Sequence, residues 1–422
     1  MISRRRIHRA RGPFFFVLLI LLLQGMSQQV EAEPLVQVFN QNVAESPEST
    51  TDEENLRTPP GPPFHIKFGM DAGYDDNINT SSTPEGAWFS AETLSLSYER
   101  VNAQTQLYLL MGGGFTHFFN SSATENENAG ISMLLTHNFT SRLSFIANID
   151  TSYQVEPDFS TNIGPENVRA NHLQTTDIFS LAYNWLPRFK TITSYTFRNV
   201  QYDDFAIGMF QDRVESTFGQ IFQLDRSRRT NFFGEYRYQI IDYDSVPNDS
   251  TTQYALIGTE HKFTEHLSVR VRGGASLRSF EQGGDRTDPY FESALDYSKG
   301  TRSGLRWVTS YGIEDSSSAA GAAVNQTFRT GLQLISRLSP QMTSTATVYY
   351  NRSEGEGTPT IPAPSTTEES LDLSVSFLYS LGQRFKFHLD YARTAVNSSG
   401  FAPGSAPDYS RNRYFAGLSY TY

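Results

Sequence analysis

The chain ends with Tyr414-Phe-Ala-Gly-Leu-Ser-Tyr-Thr-Tyr422, and this stretch decides the fold class. Every second residue from Tyr414 onward is apolar, small or aromatic, which is the period of a β-strand with one face in an apolar environment. A soluble protein rarely ends on such a strand, because chain ends fray and an exposed apolar edge invites aggregation. A closed transmembrane barrel solves both problems by pairing its last strand with its first, and an ordinary edge strand is the alternative.

The same terminal strand resembles the C-terminal signal that the bacterial barrel-assembly machinery reads. A glycine, an apolar residue and two alternating aromatic residues carry this resemblance, and they are Gly417, Leu418, Tyr420 and Tyr422. The resemblance implies that the assembly machinery is a partner of the chain and that these four residues form its assembly signal.

The N-terminal part predicts secretion. Residues 4–11 hold five arginines and residues 14–23 are all apolar, as in a secretory signal peptide. Ten apolar residues are too few for a helical span, which needs about 20. We therefore expect a signal peptide at residues 1–32, a disordered, proline-rich periplasmic linker at residues 33–63, and a transmembrane β-barrel at residues 64–422.

Composition excludes several classes of protein. The net charge is -11, and removal of residues 1–32 gives 29 minus 44, or -15, so nucleic acid is not expected as a partner. The chain has no cysteine, which excludes disulfides and thiolate metal sites. Aromatic residues make up 13% of the chain although the mean hydropathy is -0.43. A barrel explains that combination, because one face of each strand meets lipid and the other meets water.

From residue 64 the chain alternates strand-like segments with short polar turns and longer loops. Eight short turns and nine long loops make seventeen connections, so the sequence predicts about eighteen strands. The predicted fold is all-β, a single antiparallel up-and-down barrel in the bacterial outer membrane, with membrane lipid around it.

Period-two alternation also predicts which charged residues face the lumen. In residues 267–278, the arginines alternate with Leu267, Val269 and Val271. Such charges either select solutes or form ion pairs that stiffen the wall, and both interpretations stay open. The pore-lining candidates are Arg270, Arg272, Arg278, Arg306, Arg329, Arg337, Glu292 and Asp296.

A few apolar or aromatic residues fall on the predicted water face. Phe233, Ile257 and Ile335 interrupt the alternation there. Aromatic rings in the lumen would favour sugar, because they stack on sugar rings. Phe233, Tyr349 and Phe415 are the candidates.

The segment Tyr74-Asp-Asp-Asn-Ile78 resembles the first-strand signature of a family of bacterial outer-membrane porins, the "beta-barrel porin 2" type. The resemblance implies an outer-membrane barrel, sometimes associated with exopolysaccharide. Asp75, Asp76 and Asn77 could also supply oxygen ligands to Ca²⁺. The alternative is a turn in which Asp and Asn bond to their own backbone.

No catalytic or cofactor motif is found, so we predict neither an enzyme nor a bound cofactor. A nucleophilic site needs serine, histidine and an orienting group together, and no marked serine accompanies the candidate bases. Those candidates are His137, His261, His266 and His388.

The sequence therefore predicts a passive, porin-like channel for small hydrophilic solutes or saccharides, and the resemblance adds a link to polysaccharide export. One alternative is a non-transporting structural or surface-binding barrel. A second is an outer-membrane lipid hydrolase. The sequence does not specify the solute or the oligomeric state.

Overall fold

The computed structural model describes residues 63–119, 121, 125–155, 170–246, 248–281, 284–300, 302–314, 324–356, 365–400 and 408–422. The predicted signal peptide and residues 33–62 of the predicted linker lie outside these ranges.

Eighteen antiparallel strands follow one another around a single closed sheet, and β1 pairs with both β2 and β18. This confirms the predicted fold class. The strands are β1 (Phe64–Asp75), β2 (Ala87–Val101), β3 (Thr105–Phe119), β4 (Asn126–Asn138), β5 (Leu143–Gln154), β6 (His172–Leu186), β7 (Phe189–Tyr202), β8 (Arg213–Ser227), β9 (Thr230–Tyr243), β10 (Ser250–Lys262), β11 (Leu267–Phe280), β12 (Asp285–Lys299), β13 (Ser303–Glu314), β14 (Val324–Ser339), β15 (Met342–Glu356), β16 (Thr366–Leu381), β17 (Phe385–Ser399) and β18 (Tyr409–Thr421).

The two ends of the barrel differ in their connections. Eight connections of two to four residues lie at one end, and nine of four to 17 residues lie at the other. We call these the short-turn end and the long-loop end. The connection between β7 and β8 contains the short helix α1 (Phe205–Gln211), whose first turn is capped by Asp204.

No helix in the described part of the chain is long and apolar enough to cross a membrane.

The inner and outer faces of the wall are distinguished by burial. In β10, Thr252, Tyr254 and Leu256 are buried, whereas Gln253 and Ile257 are exposed. Because successive side chains of a strand point to opposite sides, the exposed set marks the outer face. The prediction that Ile257 faces water in the lumen is therefore wrong. The alternation in β10 does not identify the inner face, because polar side chains of this strand lie on both faces.

The barrel closes through the predicted terminal strand. Leu418 lies opposite Met70, Tyr420 lies opposite Phe68, and all four side chains are on the outer face. Gly417 is on the inner face, where an added Cβ would collide with the Asp71 carboxylate and the His388 ring of the neighbouring strands. A glycine is thus the residue that fits this part of the seam between β1 and β18.

Candidate functional site

The inner face of β7–β14 concentrates charge, and we call it the charged arc. Strand register places twelve cationic side chains there: Lys190, Arg198, Arg213, Arg237, Lys262, Arg270, Arg272, Arg278, Arg286, Arg306, Arg329 and Arg337. The carboxylates described on the same face number seven: Glu215, Asp225, Glu235, Glu260, Asp288, Glu292 and Asp296.

All eight predicted pore-lining residues lie on this inner face, and five of them belong to three ion pairs. Arg270 Nη2 is 2.6 Å from Glu260 Oε2 across the β10–β11 pair. Arg306 Nε is 3.5 Å from Asp296 Oδ1 across the β12–β13 pair, and Arg272 binds Glu292. The sequence predicted only that these arginines and carboxylates share one face of the wall. The structure shows that they form ion pairs with each other.

A larger network crosses several strands near the middle of the charged arc. Arg272 contacts Glu292 of β12 and also reaches over β10 to Glu235 of β9, at 2.9 Å from Nη1 to Oε2. Arg237 binds Glu235, lies 3.6 Å from Glu292, and packs over the ring of Tyr290. The Tyr290 hydroxyl donates to Glu292. Contacts that skip strands form on the concave side of a curved sheet, which identifies this face as the lumen.

The other predicted arginines differ in their surroundings. Arg278 is 1% exposed and its Nε donates to Thr252 Oγ1 at 2.8 Å. Arg329 is 6% exposed on the inner face of β14, and Arg337 lies on that face close to the short-turn end.

The sequence missed the most buried ion-pair group, which lies on β7 and β8. Glu215 Oε1 accepts from Arg198 Nη1 at 3.1 Å and from Arg213 Nε at 2.9 Å. These three residues are at most 3% exposed. In the sequence, the spacing of Arg213 and Glu215 places both side chains on one face of β8. The pairing of Glu215 with Arg198 depends on the register between β7 and β8, which the sequence does not reveal.

The inner face of β2–β6 is different, and we call it the low-charge arc. Its described side chains include two carboxylates, Glu99 and Asp150, and no lysine or arginine. Gly112 and Gly114 of β3 also face inward here, and a Cβ on either would lie 2.9 Å from a backbone oxygen of β2. The tight approach of the two strands leaves no room for side chains at these positions.

Burial inside the barrel increases toward the long-loop end. Arg198, Arg278, Thr252 and Thr327 all lie in that half of their strands and are 0 to 1% exposed. In the other half, the side chain of Arg270 is 37% exposed. The most constricted part of the lumen therefore lies toward the long-loop end.

The porin-like motif at Tyr74–Ile78 holds the seam of the barrel at the long-loop end. The Asp75 carboxylate is fully buried and accepts from Nε of Arg411 of β18 at 2.9 Å. It also accepts the Asn77 N–H at 3.0 Å, and Asp76 accepts from Asn412 Nδ2 at 2.7 Å.

Ile78 of the same motif packs against Phe89 and Phe118 of the inner face. No group of three or more histidine, aspartate or glutamate side chains among the described residues could hold a metal ion.

The candidate histidine bases have other partners. His388 Nε2 is 2.9 Å from Asp71 and its Nδ1 is 2.5 Å from Asp390, so it bridges β17 and β1 above Gly417. The rings of His137 and His261 each contact a threonine hydroxyl at 2.8 Å. The backbone N–H of His266 donates to Thr264 Oγ1 within a short turn.

No family model matches the chain. No curated protein matches it either. Among solved structures, OpdK from Pseudomonas aeruginosa, crystallised with vanillate, is 12% identical with a TM-score of 0.46, over 85% of this chain and 99% of OpdK. OccAB4 from Acinetobacter baumannii is 7% identical with a TM-score of 0.42, over 86% and 99%. The siderophore receptor PirA from the same organism is 8% identical with a TM-score of 0.39, over 85% and 80%. These TM-scores are below 0.5, so the evidence for the fold of this chain is its own strand pairing.

Proposed function

We propose that this barrel is a passive channel in the bacterial outer membrane. The observation that carries the proposal is the opposite chemistry of the two faces of the same strands. Phe218, Phe291 and Trp307 are 51, 39 and 43% exposed on the outer face of β8, β12 and β13, where lipid would cover them. The inner face carries the charged arc. A barrel of this size leaves an aqueous lumen, whereas smaller barrels are filled by side chains.

The proposed solutes are small hydrophilic anions. Twelve cationic side chains minus seven carboxylates leave an excess of five positive charges among the described side chains of the charged arc. Charges that line a narrow lumen act on a passing ion more strongly than distant loop charges, which physiological salt screens beyond about 8 Å. The channel is expected to prefer anions although the mature chain is acidic.

Saccharides are a further proposed cargo, supported by aromatic rings on the inner face. Phe233 lies against Gly258 and Tyr349 lies against Gly331, so each ring covers a glycine of the neighbouring strand. Phe233 is partly exposed, whereas Tyr349 is 7% exposed and would need its surroundings to move before it could stack on sugar. A link to polysaccharide export rests on the family resemblance.

Planar-bilayer recording tests the channel proposal. The purified full-length mature protein should insert in uniform conductance steps, and a potassium chloride gradient should give a reversal potential of the sign expected for anion preference. Correctly folded protein that inserts without conductance would contradict the proposal.

Burial in the lumen supports a second candidate, a non-transporting structural barrel. The side chains of Arg198, Arg278 and Thr252 are almost completely covered in the half nearest the long loops. Liposomes that contain the folded barrel would then exclude even small anions. Liposome swelling in solutes of increasing size distinguishes the two functions.

A further inference from the structure

The outer wall of β7–β11 carries polar side chains in a position where lipid gives them no partner. Thr193 of β7, Gln220 of β8 and Tyr236 of β9 lie side by side on the outer face, and the Tyr236 hydroxyl donates to Gln253 Oε1 of β10 at 3.1 Å. Gln220 has seven residues of β8 on either side, so it lies at mid-strand. We call these four residues, together with Ile257, the outer patch.

The hydrogen bonds of Gln220 stay within the wall. Its Oε1 accepts from Thr193 Oγ1 at 2.7 Å and its Nε2 donates to the Ile221 carbonyl at 3.2 Å. A primary amide has two N–H donors, and the second has no acceptor among the described residues. An amide that faces hydrocarbon without its full set of hydrogen bonds is costly, so a polar partner in the membrane plane would stabilise it.

Ile257 projects from the outer patch between two glycines. It is 76% exposed, and its two cross-strand neighbours on the outer face are Gly234 and Gly273. Nothing lies within 4 Å of the Cβ position of Gly234. An isoleucine therefore projects between two shallow recesses, directly beside the polar row.

The opposite wall lacks these features. β18 lies nine strands from β9, and its outer face presents Tyr414, Ala416, Leu418 and Tyr420 to its neighbours. Leu389 of β17 is 52% exposed on this side. Apolar side chains need no hydrogen-bond partner, so contact with lipid alone is sufficient for a wall of this kind.

We propose that the outer patch is the contact surface between two copies of this chain in the membrane. The amide and hydroxyl groups of the patch both donate and accept, so the same patch on a second copy offers complementary groups. The five residues of the patch carry no formal charge, so two copies do not repel each other there.

The outer wall of β7–β11, which carries the outer patch at its centre, is large enough for association. Five strands spaced about 4.8 Å apart, over an apolar band about 25 Å tall, give about 600 Å² per copy. Two copies would bury about 1,200 Å², which is at the lower limit of specific, stable interfaces. This proposal does not depend on channel activity.

The mass of the full-length mature protein in mild detergent tests the proposal. Native mass spectrometry should show a complex of this chain alone, and Gln220→Leu combined with Thr193→Val should shift it to the monomer. The matched control, Leu389→Ala with Leu418→Ala on the opposite wall, should keep the complex. A monomeric wild type, a complex with another protein, or an unchanged double variant would overturn the proposal.

Cross-linking in the intact membrane adds a second test, because the chain has no cysteine of its own. With a flexible bis-maleimide, Gln220→Cys and Ile257→Cys should each give a product of two copies, and Leu389→Cys should not. Heat-modifiable migration confirms that each variant is folded. Folded variants that cross-link equally at both walls, or only at Leu389, would contradict a contact at the outer patch.

Discussion

The charged arc and the low-charge arc share one backbone architecture but differ in what their inner faces hold. Nineteen described charged side chains line β7–β14, whereas two line β2–β6. The low-charge arc instead holds small residues such as Gly112, Gly114 and Ser132, and the two glycines allow β2 and β3 to approach closely. The two arcs share the same antiparallel strand pairing, so the inner side chains account for the difference between their inner faces.

The difference also suggests how the lumen acts on ions. An excess of positive charge along one part of the wall attracts a passing anion, while the low-charge arc leaves more of the lumen free of charged side chains. Ion pairs within the charged arc hold the arginines in place, so the proposed selection by charge is compatible with stiffening of the wall.

The largest expected effect comes from removing the strand end that closes both arcs into one barrel. Deletion of residues 420–422 removes Tyr420, which contacts the Phe385 ring and lies opposite Phe68. We expect degraded or periplasmic protein and no heat-modifiable band in outer-membrane fractions. Thr421→Ala, which changes only an inner-face residue of the same strand, should assemble normally. Normal assembly of the deletion would contradict a role for this terminus.

The next largest effect is a difference between the two arcs in how much a carboxylate contributes to the free energy of unfolding. Glu215→Gln leaves Arg198 and Arg213 buried without their carboxylate, so the free energy of unfolding should fall by about 3 to 5 kcal/mol. Glu99→Gln in the low-charge arc, where the side chain is exposed, should change it by less than about 0.5 kcal/mol. Urea unfolding in lipid vesicles measures both. Equal losses would show that the charged arc is not a special part of the wall.

Selectivity should respond to the charged arc alone. Replacing Arg270, Arg272, Arg306 and Arg329 together with glutamine should lower the anion-to-cation permeability ratio several-fold and leave assembly intact, because lumen residues avoid the cost of about 2 to 4 kcal/mol for each arginine facing lipid. Reversal potentials measure the ratio.

The matched control for selectivity is Ser132→Ala with Asn148→Ala in the low-charge arc, which should leave the permeability ratio unchanged. An unchanged ratio in the quadruple variant would mean that the arginines serve as wall struts. Failure to assemble would mean that the barrel needs the ion pairs of Arg272 with Glu235 and Glu292 in order to fold.

The smallest expected effect concerns one hydroxyl of the charged arc. Tyr290→Phe removes the donor to Glu292 but keeps the ring beside Arg237, so the free energy of unfolding should fall by about 1 kcal/mol. Tyr108→Phe in the low-charge arc serves as the control in the same urea experiment. A larger loss in the control would contradict the importance of the network.

Sequence patterns predicted the barrel because period-two alternation and unequal connections are local properties. They failed at Ile257, where both faces of β10 carry polar groups and hydropathy cannot identify the face. Strand register, which sets Arg272 within reach of Glu235 across β10, depends on pairing between segments far apart in the chain. The Arg198–Glu215 contact and the Asp75–Arg411 contact were missed for the same reason.

The reversal potential of the wild-type channel in a potassium chloride gradient tests the central claim most directly. Residues 33–422 carry a formal charge of 29 minus 44, or -15, so their overall charge would favour cations. If the charged arc controls the lumen, chloride passes more readily and the dilute side becomes negative at zero current. A dilute side that becomes positive would show cation preference and contradict the account.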